Sequence, residues 1–308
     1  MIGRHSLFFL FLVPAFLMTY APIKALYDSS SQSEYYSHIA LIPLVSIYLV
    51  FQKRKRIFCP QASTNGCGAH SRKTGRAAGI ALLSAGAFVY LVGRGVGEAV
   101  NQNDFTSIVS LSSVMFINGG FILAYGLPAF RAALFPLLFL IFIIPIPSAL
   151  MDGIIYFLQV GSTELTHLLF LATGIPFLRE GFVFHLTGIS IEVAKECSGI
   201  RSSLALLITA VLAGHLFLKT VGRKMILAAA IVPVTMFKNG IRILILTLMG
   251  TYSDPRWLTQ SSLHRDGGIL FFILALVLMA PILYWLKRSE QSIFVPPSPQ
   301  SPPVRGEE

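Results

Sequence analysis

The sequence predicts an all-α, polytopic integral membrane protein, and three observations predict it. Hydrophobic residues make up 54% of the 308 and charged residues only 12%, about half the charged share of a typical soluble domain. The mean hydropathy is +0.71. The apolar residues fall in runs close to the ~20 needed to cross a ~30 Å hydrocarbon core as a helix, not in the short alternating segments of an outer-membrane barrel. The net charge of +10 is no nucleic-acid signature, because Lys and Arg gather in particular loops, as membrane orientation requires.

Taken in order, the chain is expected to hold about eight spans. Ser6 to Ile23 follows Arg4 and His5 and is read as a retained first span, since no small-x-small cleavage site clearly follows. Tyr27 to His38 is polar. A second span, Ile39 to Phe51, runs into Lys53-Arg54-Lys55-Arg56. The loop of about 52–76 is the most basic in the chain and is assigned to the cytoplasm, which fixes the other loops by alternation. Ala77 to Val96 and Ser107 to Tyr125 are spans three and four, separated by Glu98 and Asp104. Span five, Leu134 to Pro147, ends at Pro145 and Pro147, which lack amide donors.

The extracytoplasmic stretch of about 148–196 is punctuated by Asp152, Gln159, Glu164, His167, Arg179, Glu180, His185 and Glu192. Its first half has apolar residues at helical spacing and reads as an interfacial or re-entrant helix. Its second half, Glu180 to Val193, alternates and predicts a short β-hairpin. Ile200 to Phe217, Met225 to Leu248 and Gly268 to Leu286 are spans six to eight, with Lys219, Arg223 and Lys224 in the turn between six and seven. Residues 1–288 are thus expected as one transmembrane domain. The Pro- and Ser-rich residues 289–308 are expected as a disordered tail. There is no inverted repeat of the kind transporters often carry.

One polar turn stands out, Lys195-Glu196-Cys197-Ser198-Gly199-Ile200-Arg201-Ser202-Ser203. It sets one of only three cysteines just ahead of the apolar run Leu204 to Leu218. Span seven carries Lys238, Asn239 and Arg242. Ionisable residues at bilayer depth cost several kcal/mol and mark function, unless they snorkel to the headgroups. Arg242 lies seventeen residues past Met225, or ~26 Å along a helix, near the outer edge of the core. Lys238 is one turn deeper on the same face. His264 precedes span eight by four residues.

Cys197, Arg242 and His264 therefore converge on one surface. Singly, a cysteine at a helix start is usually a small core residue and a loop histidine is usually solvated. Together they form a coherent nucleophilic set. A thiolate attacks, and nearby cations lower its pKa from about 8.5. A histidine takes and returns a proton. An arginine donates to an oxyanion. Glu196, Ser198, Lys238 and Asn239 are supporting candidates: Glu196 tunes the charge of the turn, and Ser198 is a rival nucleophile with no evident base. Cys59, Cys67 and His70 lack metal-ligand spacing and a fourth ligand. There is no Walker-type phosphate loop and no redox motif, so neither metal nor cofactor is expected.

Glu196-Cys197-Ser198-Gly199-Ile200-Arg201-Ser202, Asn239-Gly240-Ile241-Arg242-Ile243, and His264 with Gly268 closely resemble the exosortase/archaeosortase family. Tyr36-Ser37-His38 to Arg56 and Phe135-Pro136-Leu137 to Pro147 also look like that family's earlier spans, and the resemblance covers roughly residues 35–287. It implies a multi-pass cysteine protease or transpeptidase of a prokaryotic cytoplasmic membrane with its active site facing outside. Its partners would be exported proteins with a C-terminal sorting signal: a short motif, a transmembrane helix and a basic cluster, as in PEP-CTERM proteins. The family's Cys, Arg and His fall on Cys197, Arg242 and His264. The chemistry is like that of sortases, on an unrelated fold. Besides the substrate, membrane lipids are expected partners and nucleic acid is not. Two other classes fit the residues. One is a transporter or export-system subunit whose Lys238 and Arg242 bind an anionic substrate. The other is an acyltransferase using the same thiol.

Overall fold

Helix α5 (Gln102–Tyr125) is the axis of the N-terminal unit, Met1–Ile155, in a computed structural model that describes residues 3–28, 38–58, 68–195, 199–252 and 267–293. Asn101 caps it, with its side-chain oxygen accepting from the Asp104 amide at 2.8 Å. Gly126, at φ 87°, ends it. Helices α1 (Arg4–Asp28) and α4 (Gly68–Val96) pack along α5. The approach of α4 relies on glycine. Gly79, Gly86 and Gly93 recur every seven residues, so they share one face. A Cβ added at each would lie 2.7 Å from Leu123, 3.2 Å from Met115 and 2.7 Å from Ile108 of α5. Lipid is as apolar as leucine, so spans associate through such close packing and through hydrogen bonds.

The hydrogen bonds come from a buried polar face on α5. Ser112 donates to the Gly86 carbonyl at 2.9 Å, Ser107 to the Pro145 carbonyl at 2.8 Å, and Asn103 to the Ile146 carbonyl at 2.8 Å. The Asp104 carboxylate accepts the Ser148 amide at 2.6 Å. The last three serve backbone that no helix satisfies, a strict requirement at membrane depth. They explain the stretch expected as span five. It is α6 (Leu127–Ala132), α7 (Leu134–Phe139), a 3-10 turn (Leu140–Ile143) and then non-helical chain to Pro147. This broken run leaves the C-terminal end of α5 and finishes beside its N-terminal residues.

The expected second span is also shorter than supposed. Helix α2 (Leu41–Gln52) has 12 residues, about 18 Å, and is followed by α3 (Arg54–Phe58). Conversely, the expected interfacial segment is a 26-residue helix, α8 (Ser148–Thr173), which belongs in part to each unit. Two of the polar residues that interrupt its pattern have partners. Gln159 is buried and donates to the Val193 carbonyl at 2.6 Å, and Glu164 is exposed and pairs with Arg179. The expected all-α polytopic membrane class holds. Among the described residues, seven helices are long and apolar enough to cross a membrane: α1, α4, α5, α8, α9 (Ile200–Phe217), α10 (Val221–Tyr252) and α11 (Gly267–Ile293).

In the C-terminal unit, Tyr156–Glu308, the expected hairpin is a three-stranded antiparallel meander. Its strands are β1 (Phe177–Glu180), β2 (Val183–Leu186) and β3 (Ile189–Glu192). Phe184 and Leu186 pack with Phe170, Val193 and Ile243. Helices α9, α10 and α11 share a second core containing Leu206, Ala210, Leu227, Ile231, Ala275, Met279 and Leu286. Its far end is closed by Glu290, which accepts the Lys219 and Thr220 amides at 2.8 and 2.6 Å and lies 3.4 Å from Arg223. A carboxylate from α11 thus satisfies amides at the open start of α10.

Leucine at position 86 is expected to force α4 off α5 and destabilise the detergent-solubilised protein by about 1–3 kcal/mol. Gly95→Leu, with nothing within 4 Å of the added Cβ, is expected to be near neutral. Equal thermal midpoints for the two variants would contradict the close-approach account.

Candidate functional site

The start of α9 is held by a glycine in a place where a side chain would be strained. Gly199 has φ 74°, a left-handed conformation that side chains disfavour. A Cβ there would also lie 3.2 Å from both Lys238 Nζ and Asn239 Oδ1. Its carbonyl accepts the Ser203 amide at 3.0 Å, the Ser203 hydroxyl at 2.7 Å and the Ser202 hydroxyl at 3.0 Å. Lys238 Nζ in turn donates to Ser202 Oγ at 2.5 Å. The turn and the middle of α10 are joined through one ammonium.

The next residues of α10 face elsewhere. Asn239 is fully buried and donates to Ser162 Oγ of α8 at 3.0 Å. Gly240 lets α8 approach, since a Cβ would lie 3.3 Å from both Leu165 and Leu169. Arg242 follows Lys238 by one turn and is half-buried. Ile243 enters the core under the sheet. Within the six positions 238–243 of one helix, Lys238, Asn239, Gly240 and Ile243 thus engage the turn before α9, helix α8 and the meander.

Helices α9 and α11 run in the same direction. Lys287 lies over the Phe217 ring at 5.6 Å, and Glu290 meets the start of α10. The starts of α9 and α11 and the end of α10 therefore share one end of the three-helix group, and the basic residues 219–224 and 287–288 share the other.

Residues 29–281 match the family model Transmembrane exosortase (Exosortase_EpsH). The chain belongs to the transmembrane exosortase family. No curated protein and no solved structure matches it.

Of the residues singled out in the sequence, this exosortase brings together Lys238, Asn239 and Arg242, on α10 beside the Gly199 turn. Glu196, Cys197, Ser198 and His264 lie outside the described residues. In the chain, Cys197 precedes Gly199 by two residues and His264 precedes α11 by three. Sequence reasoning missed Ser202 and Ser162, which take the two hydrogen bonds that organise the site. A signal for α8 was present: Gln159, Ser162, Thr163 and Thr166 are all buried and recur at helical spacing, so they mark one inward face. A second polar cluster, the bidentate Arg179–Glu164 pair at 3.0 and 2.6 Å, ties β1 to α8. Those bonds raise the Arg179 pKa above its ordinary value.

A double-mutant cycle over Ser162→Ala and Asn239→Ala is expected to give a coupling energy of roughly 0.5–1.5 kcal/mol, the range for buried hydrogen bonds between membrane helices. Strict additivity of the two thermal shifts would mean that the pair does not join α8 to α10.

Proposed function

We propose that this exosortase is a membrane cysteine protease or transpeptidase acting on exported proteins that end in a sorting signal of short motif, transmembrane helix and basic tail. The observation that carries the reading is the packing of Gly199 against Lys238 and Asn239. Gly199 packs there against the helix that bears Arg242 and follows Cys197 by two positions in the chain; Cys197 and Arg242 lie forty-five positions apart in sequence.

In this reading His264 takes the Cys197 thiol proton as Sγ attacks the scissile carbonyl carbon and forms a C–S bond, and the carbonyl oxygen becomes an oxyanion. Arg242 donates N–H groups to that oxygen through a planar fork. As the tetrahedral species collapses, the C–N bond breaks, His264 protonates the departing amine, and a thioester remains. An amine or water then attacks the thioester and restores the thiol, giving transfer or hydrolysis. The substrate helix packs laterally against the spans and presents its scissile bond at the membrane surface.

The side of the membrane follows from charge at one end of the three-helix group. Lys219, Arg223, Lys224, Lys287 and Arg288 gather there around Glu290, and the positive-inside rule assigns that end to the cytoplasm. The opposite end of α9, with its polar turn, then faces outside. The assignment is independent of how many times residues 1–173 cross. A transporter that binds an anion through Lys238 is disfavoured, since that ammonium is 2% exposed and already hydrogen-bonded to Ser202.

Cys197→Ala and Cys197→Ser are expected to abolish maturation of a signal-bearing substrate in cells, with the protein still inserted. Arg242→Lys is expected to slow maturation by about 10²-fold or more. Normal maturation in Cys197→Ala would overturn the nucleophile, and near-normal rates in Arg242→Lys would reduce Arg242 to a membrane anchor.

A further inference from the structure

In the N-terminal unit, α1, α4 and α5 leave a cleft of about 380 Å³ between them, where α1 and α4 finish and α5 begins. That volume is in the range of small-ligand pockets. Glycine and alanine make the space. Gly93 and Gly97 hold the end of α4 against α5, since a Cβ there would lie 2.7 Å from Ile108 and 3.2 Å from Phe105. From the other side α1 brings Ala21 and Ala25, one turn apart and too short to fill the gap.

Polar groups gather in this cleft. Tyr90 and Arg94 are one turn apart on α4, so they share a face. Gln102 is the first residue of α5, and its amide reaches Thr106 only at 3.5 Å. Pro22 has no amide to give to the carbonyl of Met18, another lining residue. At membrane depth such a carbonyl needs a partner. Leu17, Phe105 and Val109 make the rest of the lining apolar.

Arg94 is the one cation in the lining. Among the described residues it forms no ion pair. Glu98, one turn further on, is exposed and does not pair with it, and Asp104 is committed to the Ser148 amide and the Asn101 side chain. An arginine near a helix end can simply snorkel to the headgroups. Here a phenol, an amide and a free carbonyl share its cleft, with apolar walls beside them.

We propose that this cleft binds an anionic phospholipid. The Arg94 fork takes two phosphate oxygens, and Tyr90 and Gln102 donate to the same group. The Met18 carbonyl accepts from a headgroup hydroxyl, and the acyl chains run along Leu17 and Val109. The leaflet follows from charge. Lys73 precedes Arg94 by twenty-one positions on α4, or ~32 Å, so the two sit at opposite faces of a ~30 Å core. Lys73 and Arg76 share their end of the unit with the basic helix α3, which packs on α6 next to Gly75. The positive-inside rule assigns that end to the cytoplasm and the cleft to the outer leaflet. The site does not rest on the reaction drawn above.

The test uses the full chain in a neutral detergent. Phosphatidylglycerol is expected to raise the thermal midpoint saturably, with a retained lipid seen by native mass spectrometry. Phosphatidylcholine, glycerophosphate and inorganic phosphate are expected to do much less. Arg94→Gln is expected to weaken phosphatidylglycerol binding about tenfold or more. Its lipid-free midpoint should stay that of the parent, because Arg94 is exposed. Ala21→Phe, which fills the cleft and keeps the charge, is expected to weaken binding as well. Arg76→Gln, at the other end of α4, is expected to bind like the parent. Unchanged affinity in Arg94→Gln would overturn the proposal. Equal weakening in Arg94→Gln and Arg76→Gln would also overturn it, since it would mean a general attraction of anionic lipid to a basic protein. Inorganic phosphate acting as strongly as the lipid would reduce the cleft to a free-anion site and overturn the lipid assignment.

Discussion

The contact between Gly199 and the Lys238-Asn239 pair is the constraint on which the C-terminal unit depends. Inside a bilayer, helices gain nothing by hiding leucine from lipid. Association needs surfaces that approach to backbone distance and polar groups that find each other. Gly199 supplies the approach and Lys238 the hydrogen bond to α9, while Gly240 and Asn239 do the same for α8. The N-terminal unit solves the same problem in the same way, with glycines on α4 and hydroxyls on α5. In both units the residues that look weakest by hydropathy are the ones that decide the packing.

That is also why the fold was only partly legible in the sequence. Span six was found residue for residue, Ile200–Phe217, because an apolar run with a polar turn on either side leaves little choice. The apolar stretches at 39–51 and 134–147 were read as full spans because hydropathy counts apolar residues and not continuous helix. In the second, the α-helix ends at Phe139, ahead of Pro145 and Pro147, and the non-helical chain that follows is held by Ser107, Asn103 and Asp104 some forty residues away. Helix α8 was read as interfacial or re-entrant because polar residues punctuate it. Nothing local to Gln159 says that the Val193 carbonyl will meet it. The alternation that gave a hairpin was real, but Phe177–Glu180 is too short and too charged to announce a third strand.

The candidate site divides along the same line. Lys238, Asn239 and Arg242 were legible because charge and amide inside a span are costly and rare. Their partners Ser162 and Ser202 were not, because serines are common in spans and bond their own helix as readily as another. The orientation argument also became more local. It began as an alternation count from a basic loop more than a hundred residues upstream, through segments the structure has since redrawn. It now rests on the group of α9, α10 and α11, with basic residues gathered around Glu290 at one end and the Gly199 turn at the other.

The central claim is that Cys197 forms an acyl intermediate with a sorting signal, and the most direct measurement is to trap it. The full-length enzyme in membranes is incubated with a signal-bearing peptide, acid-quenched, and the cysteine-bearing fragment is weighed by mass spectrometry. The account predicts an adduct on Cys197 that hydroxylamine removes, that disulfide reductants leave in place, and that is absent from Cys197→Ala. Cleavage of the peptide with no acyl adduct at Cys197 under quench, or with the same yield in Cys197→Ala, would contradict it.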